Sequence, residues 1–99
     1  MREVKSIVTS NNLTVVDCWA PWCGPCRTLT PRLEALSADP ELAGVNFVAV
    51  NVDENPDFAT QHGIKSIPTL IFYKGGQVIN MSSGVPNERV LRSRITEHM

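Results

Sequence analysis

Between residues 13 and 52 a β-branched apolar run, a short loop, a long amphipathic stretch and a second apolar run follow one another. Residues 13 to 19, Leu-Thr-Val-Val-Asp-Cys-Trp, have the composition of a buried strand. Residues 24 to 38 put Cys26, Leu29, Leu33 and Leu36 on one face at helical spacing. Pro31 falls inside that pattern and predicts a kink. Asp39-Pro40 ends the helix. Residues 45 to 52, Val-Asn-Phe-Val-Ala-Val-Asn-Val, read as a second strand. Two strands joined through a helix lie parallel, with a right-handed crossover. This one unit commits the chain to an α/β fold.

The rest of the chain adds to it. Val4, Ile7 and Val8 stand at i, i+3 and i+4, which predicts a helix over 2–10, although the Val, Ile and Thr content leaves a strand open. Asn11-Asn12 breaks that segment. Residues 56 to 62 predict a short helix that opens on Pro56 and stops at Gly63. Ser66-Ile67-Pro68 leads into a third strand over 69–73. Lys74-Gly75-Gly76-Gln77 turns it into a fourth over 78–81. Pro86-Asn87 opens a last helix, with Asn87 as N-cap and Val90, Leu91 and Ile95 facing inward. The predicted architecture is a central four-stranded mixed sheet flanked by helices on both faces. Repeats, low-complexity tracts and linkers are missing, and 99 residues suffice for one core, so residues 1–99 read as one domain.

Charge excludes some functions. A formal net charge of -1 argues against binding nucleic acid or an anionic membrane through bulk charge. Arg89, Arg92 and Arg94 read as a solvated helix face. No apolar run approaches the roughly 20 residues that span a bilayer. Met1-Arg2-Glu3-Val4-Lys5 has charge without an apolar stretch behind it, so the start does not read as a secretory signal, which favours the cytoplasm. Three cysteines, one close pair and one odd, point to redox chemistry or metal binding rather than a secreted disulfide framework.

The pair is Cys23 and Cys26. Residues three apart on a helix have β-carbons about 5–6 Å apart, and a disulfide needs about 3.5–4.5 Å. A small adjustment in the first turn therefore closes the bond. Cys23 stands where free backbone N–H groups and the helix dipole favour a negative sulfur. That raises its thiolate fraction. Cys26 lies one turn in, on the face of Leu29, Leu33 and Leu36, and is shielded. An exposed, acidic Cys23 that attacks a substrate disulfide and a buried Cys26 that resolves the mixed disulfide follow from these placements.

Asp17 is a carboxylate in a segment that otherwise reads as core. A buried charge costs several kcal/mol unless paired or neutralised, so its pKa should rise. A carboxyl poised near neutrality suits proton exchange with a buried thiol, here that of Cys26. The plainer alternative is an Asp that points to solvent at a strand end or caps a loop. Cys18, next in sequence, faces the other side of the sheet and reads as a small core residue.

These features together resemble thioredoxin. The stretch Val16-Asp17-Cys18-Trp19-Ala20-Pro21-Trp22-Cys23-Gly24-Pro25-Cys26 is similar to that family's active-site segment, and Pro31 sits where the family kinks its helix. Asn51-Val52-Asp53 with Asn55-Pro56, Gly63-Ile64, Ile67-Pro68-Thr69, Gly75-Gly76 and Gly84 follow the family's later landmarks in order. The likeness covers roughly residues 13 to 98. It implies a thioredoxin-like fold and a protein-disulfide reductase without cofactor or metal, with Cys23, Cys26 and Asp17 as its catalytic set. It also implies a cis Ile67–Pro68 bond beside the cysteines, against a base rate of about 5–6% for X–Pro bonds. Ile67 would offer its backbone to an extended substrate segment. Trp22, Gly24, Pro25, Ile67, Pro68, Gly84 and Val85 would form a flat, mostly apolar substrate-binding patch around Cys23. Protein disulfides are the implied substrates, a flavin-dependent thioredoxin reductase the implied electron donor, and a monomer the implied state. Pro25 between the cysteines matches the reducing members.

Two departures stand out. The family commonly has a Lys two residues before the position of Asn51, near the buried Asp; here Ala49 stands there. Asp17 then loses a positive neighbour, and its pKa should rise further. The family's usual first strand also finds no counterpart, which would leave strand 45–52 at a sheet edge open to pairing or dimerisation.

Other readings are weaker. A zinc site wants four ligands, and only His62 and His98, best read as surface residues, could join the cysteines, at spacings that fit no finger pattern. Haem attachment needs His after the second cysteine, where Arg27 stands. A glutaredoxin-like protein, a disulfide oxidant or isomerase, and a non-catalytic binding subunit are the remaining alternatives.

Overall fold

The computed structural model describes residues 1–7 and 10–99. Strand β1 is Arg2–Glu3, β2 is Thr14–Trp19 and β3 is Asn46–Asn51. Helix α1 spans Cys26–Ser37 between β2 and β3, followed by a single 3-10 turn over Pro40–Leu42. Helix α2 is Pro56–Gln61, β4 is Thr69–Lys74, β5 is Gln77–Ser83 and α3 is Glu88–His98. The five strands lie in the order β1-β3-β2-β4-β5. β1, β3 and β2 are parallel; β4 and β5 run antiparallel to their neighbours.

The central strand explains the two-sided core. β2 is buried along nearly its whole length and alternates between faces. Val15 packs with Leu29, Leu33 and Leu36 of α1 and with Leu91 and Ile95 of α3. Val16 and Cys18 pack on the opposite face with Val50, Ile71 and Phe58 of α2. α1 runs through Pro31 without interruption. Gly63, at φ +65°, closes α2, with the Ile64 N–H reaching back to the Ala59 carbonyl. Gly75 and Gly76 both have positive φ, as a two-residue hairpin of this hand requires. Asn87 caps α3 by accepting the Val90 N–H at 2.9 Å.

Several expectations need correction. The sheet has five strands rather than four. Arg2–Glu3 is extended and pairs with Val48 and Ala49, so the predicted N-terminal helix does not cover these residues. Val8 lies outside the described residues. The reason is backbone satisfaction: the open side of β3 offers hydrogen bonds that a single helical turn cannot match, and the Val4 N–H takes the Ala49 carbonyl as well. Val4 and Ile7 pack against the core on the Val16–Cys18 face of the sheet. Val90 is exposed; Leu91 and Ile95 alone of the three face inward. Arg92 is not simply solvated, since it pairs with Asp39 at 2.5 Å. His62 and His98 are half-buried, stacked on Phe58 and edge-on to Phe72.

Candidate active site

The cysteine pair sits where β2 hands over to α1. After Trp19 the chain turns, and the Cys23 N–H donates to the Ala20 carbonyl at 3.1 Å. α1 begins at Cys26 with Pro25 in the N-cap position, a residue with no side-chain acceptor. The sulfur of Cys23 takes that part: Sγ accepts the Cys26 N–H at 3.2 Å. The two cysteines are joined in a disulfide with their Cα atoms 5.4 Å apart. That separation lies within the usual span of about 4.4–6.8 Å. Both are 3% exposed, closed over by Ala20, Trp19, Val52 and Ile67. The predicted contrast of an exposed Cys23 and a buried Cys26 is therefore not one of burial in this oxidised form. It is one of position: Cys23 precedes the helix and meets its first N–H, and Cys26 lies within the first turn.

Asp17 is fully buried on the α1 face of β2. Its register neighbours are Ala49 of β3 and Leu70 of β4, neither of which carries a polar side-chain group. Oδ2 accepts the Thr30 hydroxyl at 2.6 Å, and Oδ1 is buried without a partner. Burial raises the Asp17 pKa from 3.8 to about 6; the Thr30 hydrogen bond works against the rise, and Glu3 and Glu34 add to it. Cys18 points to the other face, and burial, with Asp17 nearby, pushes its thiol up to about 12. It stays protonated at neutral pH, in keeping with a core role.

Around the pair, Trp22, Gly24 and Pro25 are exposed and Ile67 is half-buried. The Ile67–Pro68 bond is cis. Pro68 itself is buried, so it underlies the expected patch rather than contributing surface. The Gly84 N–H donates to the Pro68 carbonyl at 3.1 Å, which ties the two loops together. Gly84 sits at φ +97°, a conformation a side chain would strain. Val85 is half-buried against the α1–α3 core.

Two partner residues escaped the sequence reading, Asp53 and Thr30. Trp22 is 68% exposed, yet its indole N–H donates to Asp53 Oδ2 at 2.9 Å, which fixes the ring beside Cys23. The available signal was that β2 and β3 are parallel and end in register at Trp19 and Asn51, so residues just after them meet at one edge. Thr30, the partner of Asp17, is the other.

A family model for thioredoxin matches residues 2–97. The chain belongs to the thioredoxin family. It is 40% identical over 95 residues to thioredoxin 1 of Nostoc sp., covering 96% of this chain and 88% of that protein. It is 42% identical to a thioredoxin of Chlorobaculum thiosulfatiphilum, covering 94% and 85%. Among solved structures, Malassezia sympodialis thioredoxin superposes with a TM-score of 0.88 at 34% identity, over 98% of this chain and 89% of that one. Family and cysteine geometry agree on the activity: the chain is a protein thiol–disulfide oxidoreductase. Among the described residues, no helix is long and apolar enough to cross a membrane.

Proposed function

We propose that residues 1–99 form one domain that reduces protein disulfides, with Cys23 attacking, Cys26 resolving and Asp17 accepting the proton. The observation that carries the reading is the Cys26 N–H donated to the Cys23 sulfur at the start of α1. A hydrogen bond to a sulfur and the positive end of a helix both favour its anion. The Cys23 thiolate attacks one sulfur of the substrate disulfide. A mixed disulfide forms, and the other substrate sulfur leaves as a thiolate that takes a proton from water. Cys26 then yields its proton to the Asp17 carboxylate, directly or through a water, and attacks the Cys23 sulfur. The Cys23–Cys26 bond closes and the second substrate thiolate departs. Two electrons have passed from the dithiol to the substrate. A thioredoxin reductase restores the dithiol.

Trp22, Gly24, Pro25, Ile67, Gly84 and Val85, with Pro68 beneath, make the substrate surface, and an extended segment pairs with the Ile67 backbone. Clients and donor are proteins; neither nucleic acid nor membrane is engaged, and a monomer serves. A reducing compartment, the cytoplasm, suits a dithiol that must be recharged.

The direction of electron flow is tested by equilibrating the Cys23–Cys26 pair with a thioredoxin/reductase couple of known potential while following disulfide reduction. The midpoint should be more negative than about -230 mV, the reducing side of the oxidoreductase range. A midpoint near the roughly -120 mV of a strong oxidant would reverse the assignment.

A further inference from the structure

Asp17 is sealed from solvent, yet a proton acceptor must also lose the proton it takes. Oδ1 has no partner, and Oδ2 has one, the Thr30 hydroxyl at 2.6 Å. Thr30 lies one turn after Cys26 on α1, so both side chains project to the same part of the sheet. Beside them is a cavity of about 420 Å³, lined by Trp19, Pro21, Cys26, Thr30, Glu34 and Ala49 among others. Asp17 does not line it. Thr30 does, and so touches both the carboxyl and the space that opens to solvent.

We propose that Thr30 is a positioning residue for the resolving step: its hydroxyl holds Asp17 by Oδ2, leaves Oδ1 for the Cys26 proton, and joins the carboxyl to the cavity. The inference rests on Asp17 acting as proton acceptor. The neighbours of Asp17 leave Thr30 this task. Ala49 and Leu70 flank it in register and have no hydrogen-bonding side chain. Glu3 from β1 and Glu34 from α1 are the charged groups that act on it, and both disfavour its ionised form. Trp19 gives its indole N–H to Glu3 at 2.8 Å, and Arg27 gives a guanidinium N–H to the Pro21 carbonyl at 3.2 Å. Cys18 sits on the opposite face. Thr30 is thus the one hydrogen-bond donor to the carboxylate among the described residues. In the proton's path, Asp17 gains the thiol proton of Cys26 at Oδ1; rotation of the carboxyl carries it to the Oδ2 position, where the Thr30 hydroxyl turns from donor to acceptor, takes it, and gives its own proton to water in the cavity. No electrons move in this part.

The test compares Thr30→Val, Thr30→Ser and Asp17→Asn in the full chain. Each is loaded at Cys23 with a chromogenic aryl thiol as a mixed disulfide. Release of the aryl thiol is followed by stopped flow from pH 4.5 to 9, and the Asp17 carboxyl carbon is titrated by NMR in parallel. In Thr30→Val the acid limb of the rate profile and the Asp17 titration should both move up by about one pH unit, the size a hydrogen bond to a charged group carries. Thr30→Ser should restore the parent profile. Should Thr30→Val fail to fold, Thr30→Ala removes the same hydroxyl with the same expectation. A Thr30→Val or Thr30→Ala profile superimposable on the parent, with the limb lost in Asp17→Asn, would overturn the role of Thr30 alone. Survival of the limb in Asp17→Asn would overturn the role of Asp17 and with it this inference.

Discussion

Replacing Cys23 by Ser will lower protein-disulfide reduction by at least about 10³-fold, the scale on which loss of a nucleophile acts. Replacing Cys26 by Ser will also abolish turnover, but by a different route. A serine hydroxyl at position 23 stays protonated at neutral pH and cannot take up a sulfur. A serine at position 26 leaves Cys23 and the helix start in place, including the N–H now donated to its sulfur. That variant should react once and stop, holding its substrate in a mixed disulfide. A thiol-free gel of each variant mixed with an oxidised protein substrate distinguishes them: a covalent adduct for Cys26→Ser, none for Cys23→Ser. Adducts formed equally by both would mean that the two cysteines share the attacking role, against the asymmetry of their positions.

Asp17→Asn will stabilise the protein at pH 7 and lose that advantage in acid. A shift from 3.8 to about 6 corresponds to about 3 kcal/mol between the protonated and ionised forms. Because the folded state raises this pKa, it binds the proton more tightly than the unfolded chain does. Asp17 therefore costs nothing below about pH 4, and its penalty grows as pH rises to about 6, where it becomes complete. Asp39 acts in the opposite sense at lower pH, since the Glu41 N–H and Arg92 hold its carboxyl below the ordinary range. The difference between parent and variant removes that contribution. Urea unfolding at pH 4 and pH 7 should give curves that nearly coincide at the lower pH and separate by about 1–3 kcal/mol at the higher. Equal separation at both would mean that the carboxyl is not titrating between them. The stabilised variant should resolve mixed disulfides more slowly, on the order of 10²-fold, the lower end of what a proton-transfer group contributes. On the proposed role, Asp17 is a proton acceptor held in the core at a cost to stability, a familiar trade.

What the sequence made legible follows physical strength of signal. The β2–α1–β3 unit was readable because each piece is long, strongly patterned and closed by recognisable breakers. The cysteine pair and Asp17 were readable because chemistry stood where core composition ruled. β1 was not, because two residues carry no periodicity and the pairing partner, Val48–Ala49, lies far along the chain. The burial of Cys23 was missed because it depends on Ile67 and Val52, brought in by separate loops. Val90 was misplaced because the inward arc of α3 is narrower than three apolar residues suggest, with Leu91 and Ile95 filling it. Thr30 looked like an ordinary helix residue; its meaning appears only once α1 is laid over Asp17. The replacement of the family's Lys by Ala49 was visible in sequence, but its consequence was not. The structure puts Ala49 directly beside Asp17, at the wall of the cavity.

The rate of alkylation of the reduced protein by iodoacetamide, followed cysteine by cysteine from pH 4 to 10, reaches the central point most directly. Cys23 should react as a thiolate with a midpoint well below the free-thiol value of about 8.5. Cys26 should lag throughout, and Cys18 should remain unmodified until the protein unfolds. Equal, slow modification of Cys23 and Cys26, with midpoints at or above that value, would contradict the account.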